Sequence, residues 1–284
     1  MSAASWSSRS PNFSRTVCLG FRQRHVMRDM NANVKLKKSR RLLPETARNI
    51  LVIDVGGTHI KIYPIGRRLP IKIDSGPAMT AKKMIQAVRA AIDSSRYDVV
   101  SLGYPGPVVH GRPLHDPVNL GPGWVGFDFQ KAFGRPTQII NDAAMQALGS
   151  YRGGRMLFLG LGTGLGSALI VDGELEPMEL GHLPYKHGKT FEAYIGDSAI
   201  KRRGQKKWTK SVFDVVAKLK NALQPDYVVL GGGNAGRLIT LPPRTFRGTN
   251  ENAYTGGVRL WQPGGKRPQA TTSHAIRSTT VALH

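Results

Sequence analysis

The chain is poor in cysteine and in acidic residues, and it has no long uninterrupted apolar stretch. Its 284 residues include one cysteine, Cys18, so neither an internal disulfide nor a zinc site built on several thiolates can form. No apolar stretch approaches the ~20 residues that a membrane-spanning helix requires, so we expect no membrane association. A single cysteine also suits a reducing compartment, and we predict a cytoplasmic location.

The shortage of acidic residues leaves a large positive charge. The sequence has 41 Lys and Arg against 18 Asp and Glu, a formal net charge of +23. Residues 49–262 alone carry 27 basic and 16 acidic side chains. This surplus favours an anionic partner such as phosphate, polyphosphate, nucleic acid or acidic lipid, although a merely solvated basic surface would have the same composition.

The two ends of the chain differ from its middle. Residues 1–48 are rich in Ser and Arg and lack a sustained helical or strand period, so we expect a disordered basic extension. It could be a targeting segment, or it could precede a natural start at Met27 or Met30. Residues 263–284 are expected to form a disordered tail. The middle alternates apolar strands with amphipathic helices, which predicts an α/β fold.

Two stretches of the middle share the pattern strand, glycine turn, strand. The first is ILVIDVGGTHIKIYPIG, and the second, MLFLGLGTGLGSALIVDGEL, follows about a hundred residues later. The bends contain Gly56, Gly57 and Thr58 in the first stretch, and Gly162, Thr163 and Gly164 in the second. The repeat predicts two similar half-domains facing a cleft, a small one over residues 49–141 and a large one over residues 142–262.

Turns of this kind are suited to phosphate. Glycine lets the backbone approach a ligand closely, and successive N–H groups form a concavity that binds anions. Each turn on its own is equally consistent with a tight hairpin that needs glycine only for its geometry. Strand residues follow both turns, whereas a dinucleotide-binding motif must open a helix. The candidate ligands of the donor phosphates are the six turn residues together with Lys61, Gly232 and Gly233.

Two acidic residues near these turns could take part in chemistry. Asp54 lies in the mouth of the first hairpin and is a candidate Mg²⁺ ligand, since Mg²⁺ prefers oxygen. Asp142 follows Asn141 at the end of an apolar strand, where α/β proteins meet their ligands. Asp142 could accept the proton of a substrate hydroxyl during phosphoryl transfer, or it could cap the following helix.

A further polar group has the composition of a sugar-binding site. Glu179 and His182 lie three residues apart around a glycine, and Glu192 follows ten residues later. Together with Asn119 they offer the donors and acceptors that sugar hydroxyls need, although Glu179 and His182 would also fit a simple turn. The basic segment from Lys201 to Lys210 could contact a polyanion or could be the solvated face of a helix.

These segments together resemble the ROK family of sugar kinases over residues 49–262, and most closely its polyphosphate glucokinases. The segments that carry the resemblance are DVGGTHIKI, VNLGPGW, NDAAMQALG, GTGLGSALIVDGEL, ELGHLPY, FEAY and PDYVVLGGG. The resemblance implies a two-domain, actin-like and ribonuclease H-like sugar kinase fold with a central cleft. It also implies a homodimer.

The resemblance assigns roles as well. It makes Asp142 the catalytic base, with Mg²⁺ and with polyphosphate or ATP as the phosphate donor. The residues expected to bind glucose are Asn119, Asn141, Glu179, His182 and Glu192. Zinc is not expected, because LPYKHGKTFEAY lacks the cysteines of many ROK proteins. Residues 1–48 show no helix-turn-helix, so no specific nucleic acid is expected. A kinase for another hexose and a non-catalytic sugar-responsive regulator remain the alternatives.

Overall fold

The structure is a computed structural model, which describes residues 49–262 except residues 65, 67, 68 and 250. The expected disordered extension, residues 1–48, and the expected tail, residues 263–284, lie outside the described residues. Within the described part, strands and helices alternate as the sequence predicts.

The first half of the described chain builds a five-stranded sheet. In chain order its strands are β1 (Ile50–Val55), β2 (His59–Tyr63), β3 (Ile71–Asp74), β4 (Val99–Tyr104) and, after a short ribbon of β5 (Val108–Val109) and β6 (Arg112–Pro113), β7 (Thr137–Asn141). Their order across the sheet is β3-β2-β1-β4-β7. Strands β1, β2 and β3 pair antiparallel, whereas β4 and β7 run parallel to β1.

The second half repeats this arrangement. Its strands are β8 (Arg155–Leu161), β9 (Leu165–Val171), β10 (Glu174–Met178), β11 (Tyr227–Gly231) and β12 (Thr245–Arg247). Their order is β10-β9-β8-β11-β12, again an antiparallel meander followed by two parallel strands. The two sheets therefore have the same topology, and the two glycine-containing hairpins occupy equivalent places in them.

Seven α-helices are present in the described part of the chain. They are α1 (Ala81–Ala91), α2 (Phe129–Phe133), α3 (Asp142–Ser150), α4 (Glu192–Ile195), α5 (Asp197–Arg203), α6 (Gln205–Leu223) and α7 (Asn252–Arg259). Helix α1 starts at the N-cap Thr80, and its apolar spacing buries Met84, Ile85 and Val88. We find no helix among these that has the length and apolarity to cross a membrane.

Helix α3 follows β7 directly and begins at the cleft. Its N-cap is Asn141, whose Oδ1 accepts a hydrogen bond from the amide of Ala144 at 3.0 Å. Asp142 is the first helical residue, and its Oδ1 accepts from the adjacent Ala143 amide at 2.8 Å. Asn141 is therefore the N-cap of α3, and Asp142 does not have that alternative role.

Helix α7 closes the fold by packing on α3 and the first sheet. Glycines permit the close approach, because a Cβ on Gly149 would lie 1.9 Å from the Asn252 carbonyl oxygen and one on Gly256 would lie 1.8 Å from the Met145 carbonyl oxygen. The Ser101 hydroxyl in β4 donates to the Gly257 carbonyl at 2.6 Å. These contacts hold the helix that begins with Asp142 against both halves of the described chain.

Candidate active site

A cavity of about 480 Å³ lies where the turns of both hairpins meet the start of α3. Its walls contain twelve residues predicted from the sequence, namely Gly56, Gly57, Asn119, Asn141, Asp142, Gly162, Thr163, Gly164, Glu179, His182, Glu192 and Gly232. The predicted residues Asp54, Thr58, Lys61 and Gly233 do not line it. Segments up to 176 positions apart in sequence are thus brought to one place.

The first hairpin holds a buried ion pair behind its turn. Asp54 and Lys61 are cross-strand partners in β1 and β2, and the Lys61 ammonium donates to Asp54 Oδ2 at 2.9 Å. Asp54 is 3% exposed. Burial opposes the charge on Lys61, but the charge and hydrogen bond of Asp54 outweigh that cost and raise the pKa of Lys61. Lys61 therefore remains a cation.

Asp142 has the most strongly shifted pKa among the groups that line the cavity. Burial, with the negative charge of Asp54 as a second cause, raises the pKa of the Asp142 carboxyl to about 7. The Ala143 amide and the Lys61 ammonium act in the opposite direction. A carboxylate with a pKa near neutrality is well matched to take a proton from a hydroxyl at physiological pH.

The second hairpin has glycines where the first has its ion pair. Gly160 in β8 pairs with Gly166 in β9, and this pair lies next to the last strand pair before the turn. Asp54 and Lys61 occupy the equivalent position in the first hairpin. A Cβ added to Gly166 would lie 2.6 Å from the Cβ of Ala143. The missing side chain thus lets the first turn of α3 rest on the hairpin.

The turn of the second hairpin is held in place by hydrogen bonds to the Gly162 carbonyl. The Gly162 carbonyl accepts from the Asp197 amide at 3.0 Å and from Asn234 Nδ2 at 3.3 Å, while the Gly162 amide donates to the Gly164 carbonyl. Within the described residues, the amides of Thr163 and Gly164 have no protein acceptor. The turn therefore keeps donors available for an anion, as phosphate binding requires.

The third glycine segment approaches this turn from β11. Gly232 has a φ of +78°, and a Cβ there would lie 2.4 Å from the Leu161 carbonyl oxygen. Both the left-handed backbone and the close approach require glycine. Gly232 therefore forms part of the cavity wall beside the second turn, whereas its neighbour Gly233 is exposed and does not line the cavity.

Two of the predicted sugar ligands, Glu192 and Asn119, pack directly on the glycine turns. Glu192 Oε2 accepts from the Leu165 amide at 3.0 Å, and a Cβ on Gly164 would lie 2.3 Å from that oxygen. Asn119 packs in the same way on Gly57, where an added Cβ would lie 3.1 Å from its Cβ. Each glycine turn thus contacts one of the predicted sugar ligands.

Glu179 and His182 flank a short 3₁₀ turn at the end of β10. The carbonyl of Glu179 accepts from the His182 amide at 3.2 Å. Burial raises the pKa of the Glu179 carboxyl, Glu192 adds to the shift, and His182 opposes it. Two carboxylates and an imidazole therefore face the same cavity as Asp142, which gives a polar wall able to bind several hydroxyls.

Comparison with known proteins agrees with this arrangement. The model of the ROK family matches residues 50–211. The chain belongs to the ROK family. It is 30% identical over 213 residues to the polyphosphate glucokinase of Mycobacterium tuberculosis, covering 66% of this chain and 78% of the relative. The predicted family and its resemblance to polyphosphate glucokinases are therefore confirmed.

Solved ROK structures share the fold. An inorganic polyphosphate/ATP-glucomannokinase from an Arthrobacter strain superposes with a TM-score of 0.64 at 24% identity, covering 76% of this chain and 98% of that one. A ROK glucokinase from Streptomyces griseus, solved with glucose and AMPPNP, has a TM-score of 0.60 at 18% identity and covers 74% and 98%. These likenesses confirm the actin-like sugar kinase fold.

The cavity of this ROK protein also contains residues that the sequence did not point to. Gly106 accepts a hydrogen bond from Asn141 Nδ2 at 3.1 Å and lies between two prolines of the cavity wall. Gln146, one helical turn after Asp142, and the exposed Val118, beside Asn119, also line the cavity. The i, i+4 spacing of Asp142 and Gln146 on a helix was a usable signal for the glutamine.

The residues suit Mg²⁺ only if the donor phosphates supply most of its ligands. The described part of the chain contains no group of three or more acidic or histidine side chains that could hold a metal. Asp54 is buried and already paired with Lys61. Because Mg²⁺ usually keeps several waters and binds through one or two carboxylates plus substrate phosphates, this donor set still fits it.

Proposed function

We propose that this ROK protein is a glucokinase that transfers a phosphoryl group from polyphosphate or ATP to the 6-hydroxyl of glucose. The observation that carries the proposal is the position of Asp142, which has a pKa of about 7 and lies between two glycine turns and a polar wall. Relatives of this chain that are named polyphosphate glucokinase support the choice of glucose and of these donors.

In this proposal Asp142 is the catalytic base. Its ionised carboxylate accepts the proton of the sugar hydroxyl while that oxygen bonds to the transferred phosphorus and the bond to the leaving phosphate breaks. The proton ends on Asp142 and returns to solvent after product release. Most of the remaining catalysis is positioning and electrostatic stabilisation, as is general for phosphoryl transfer.

The two glycine turns hold the donor on one side of Asp142. In this proposal the amides of Thr163 and Gly164 bind the phosphate to be transferred or its neighbour, and the first turn, with Gly56 and Gly57 in the cavity wall and Thr58 next to them, is a second candidate phosphate site. Lys61 supplies a positive charge behind the first turn. Mg²⁺, reached by Asp54 directly or through water, would neutralise charge on the donor phosphates.

The polar wall orients the acceptor. In this proposal the sugar hydroxyls are bound by five polar residues of the cavity lining, namely Asn119, Asn141, Glu179, His182 and Glu192. Glu192 and Asn119 are themselves held by the turns that bind phosphate. Sugar and donor would therefore be placed relative to each other by shared backbone, which favours in-line transfer.

The direct test is glucose 6-phosphate formation by the purified protein with Mg²⁺, comparing long-chain polyphosphate with ATP. Product from either donor supports a glucokinase, and the ratio of kcat/KM values assigns the donor. Absence of product with both donors, in protein that binds glucose, would contradict the enzymatic role and favour a sugar-responsive regulator.

Mannose is a second acceptor to test. The Arthrobacter structure is named a glucomannokinase, so a pocket on this fold can accept both epimers. The same assay with mannose, fructose and an N-acetylhexosamine ranks the acceptors by kcat/KM. A preference of more than tenfold for any of them over glucose would replace glucose in the proposal.

A further inference from the structure

A strongly basic surface lies on α5 and the start of α6. Residues 198–213 contain six basic side chains and no acidic one. Residues 227–250, which run from β11 through the third glycine segment to β12, contain three arginines and no acidic residue. We call the exposed cations Lys201, Lys206, Lys207, Lys210 and Arg237 the basic track.

Most of the track is not neutralised by the protein. Lys201 pairs with Asp197 at 3.1 Å across one helical turn, in an exposed ion pair. Lys206, Lys207 and Lys210 are exposed and, within the described residues, have no carboxylate within ion-pairing distance. Net positive charge of this density creates a field that attracts anions.

The track is connected to the second glycine turn by a chain of hydrogen bonds. Asn234 Nδ2 donates to the Gly162 carbonyl at 3.3 Å, and the Arg237 guanidinium donates to Asn234 Oδ1 at 3.0 Å. From the other side, Gln205 Nε2 at the start of α6 donates to the Arg237 carbonyl at 2.9 Å. The cations therefore begin beside the proposed donor phosphate and continue away from it.

A second link runs through α5. The Asp197 amide donates to the carbonyls of Gly162 and Thr163 at 3.0 and 3.2 Å, which joins the helix to the turn. The following residues lead to Lys201 and, through Gly204, into α6. A ligand of nucleotide size needs only the turn, whereas a linear polyanion that starts there would meet the track.

We propose that the basic track binds the distal part of a long inorganic polyphosphate chain while the chain's end occupies the second glycine turn. The proposal rests on the proposed function, and it adds a separate chain-binding site outside the cavity. Binding there would raise the concentration of chain ends at the turn, so long chains would be better donors than short ones.

The test uses two matched double substitutions. The variant Lys206→Glu/Lys207→Glu changes the second and third residues of α6, and the control Lys82→Glu/Lys83→Glu changes the second and third residues of α1. Both remove the same charge at the same helical positions. Acidic residues in a first turn favour the helix dipole, so neither variant should lose its fold.

The first measurement is binding of fluorescently labelled long-chain polyphosphate without glucose, by anisotropy at several salt concentrations. We expect the α6 variant to raise the Kd at least tenfold and to reduce the salt slope by about two, one for each lost phosphate contact. The control should stay within about twofold. Equal weakening by both variants would overturn the proposal, because it would indicate attraction by net charge alone.

The second measurement is turnover with long-chain polyphosphate, tripolyphosphate and ATP. The α6 variant should lose about tenfold in kcat/KM for the long chain and less than twofold for tripolyphosphate and ATP. An equal loss for all three donors would contradict a distal site. A single-stranded DNA oligomer that displaces the chain from the track at equal charge concentration would overturn the assignment to polyphosphate.

These readouts separate the two proposals. If wild-type protein phosphorylates glucose from ATP alone, the polyphosphate donor fails in turnover and the distal site fails with it. If wild-type protein uses polyphosphate but the α6 variant matches the control in both measurements, the proposed function stands and the basic track is excluded.

Discussion

The two hairpins have the same topology and equivalent positions in their sheets, yet they differ at the cross-strand pair next to the last pair before the turn. The first carries a buried ion pair, Asp54 with Lys61, where the second carries the glycine pair Gly160 and Gly166. The charges of the first hairpin act on the pKa of Asp142. The glycines of the second make room for Ala143, the neighbour of Asp142.

The comparison indicates that the two equivalent hairpins affect Asp142 in different ways. The charges of one hairpin add to the effect of burial on the pKa of the proposed base, and the glycines of the other let the first turn of α3 pack on it. Both turns keep the glycine chemistry suited to phosphate, and each contacts one predicted sugar ligand. The chain passes from the first sheet to the second near Asp142, while the boundary between half-domains expected there stays a prediction. Substitutions at the positions that differ should therefore have different kinetic signatures.

The largest effect is expected at the residue on which both hairpins act. Asp142→Asn keeps the size of the side chain but cannot accept the proton, so kcat should fall by about 10²–10⁴-fold. The KM for glucose should change little, since the variant keeps the polar wall intact. Steady-state kinetics with both donors checks this, and near-normal turnover would contradict the role of base.

Thermal unfolding of the same variant tests the electrostatics independently of turnover. The folded-state pKa of Asp142, about 7, lies above the unfolded value of 3.8, so wild-type stability from this group is lost as pH rises between these values. Asp142→Asn should therefore be more stable than wild type at pH 8, by about 1–3 kcal/mol. At pH 4 the difference should be close to zero, and an unchanged difference across this range would argue against a raised pKa.

The second hairpin should be sensitive to added volume. Gly166→Ala would place a Cβ 2.6 Å from the Cβ of Ala143, and the start of α3 would have to move. We expect kcat to fall on the order of a hundredfold, because small displacements of a catalytic group are costly. Gly236→Ala is the control, since a Cβ there meets nothing within 4 Å. If both variants keep wild-type kcat, the hairpin does not position Asp142.

Much of this arrangement follows from the sequence. The strand–turn–strand repeat, the alternation of helices and strands, and the short polar motifs led to the family, the fold and twelve residues of one cavity. The pairing of Asp54 with Lys61 could also have been derived, because a hairpin closing at Val55 and Ile60 places them opposite each other. The sequence motif suggested separate metal and phosphate roles for these two residues.

Other features depend on tertiary approach and have no local signal. Asn141 and Asp142 are both good capping residues, and only the backbone geometry shows that the asparagine caps α3. The segment GLGTGLG contains four glycines that all line the cavity, and the sequence does not show that Gly166 is the one on which Ala143 packs most closely. Packing between elements decides both points.

The charge of the first hairpin should appear in the pH profile. Lys61→Met removes a cation that lowers the pKa of Asp142 and leaves Asp54, which raises it, without its partner. The acid limb of kcat/KM, expected near pH 7 in wild type, should move upward by about one pH unit, about tenfold in rate at pH 6. Lys61→Arg retains the charge and should leave the limb near pH 7. A limb that stays in place in Lys61→Met would show that the ion pair does not tune the base.

The smallest effects are expected from alanine substitutions in the two turns, which should alter the KM for glucose through the sugar ligand that each turn contacts. Gly164→Ala places a Cβ 2.3 Å from Glu192 Oε2, which would displace a carboxylate held by a hydrogen bond from Leu165. Gly57→Ala meets only the Asn119 side chain, with its Cβ nearest at 3.1 Å, and a shift of a few tenths of an ångström relieves this contact. The KM for glucose should rise roughly fivefold in the first variant, about 1 kcal/mol, and about twofold or less in the second. Glucose binding measured by calorimetry without donor separates this from any loss of phosphate contacts, and a larger effect at Gly57 would reverse the assignment of the tighter sugar contact to the second hairpin.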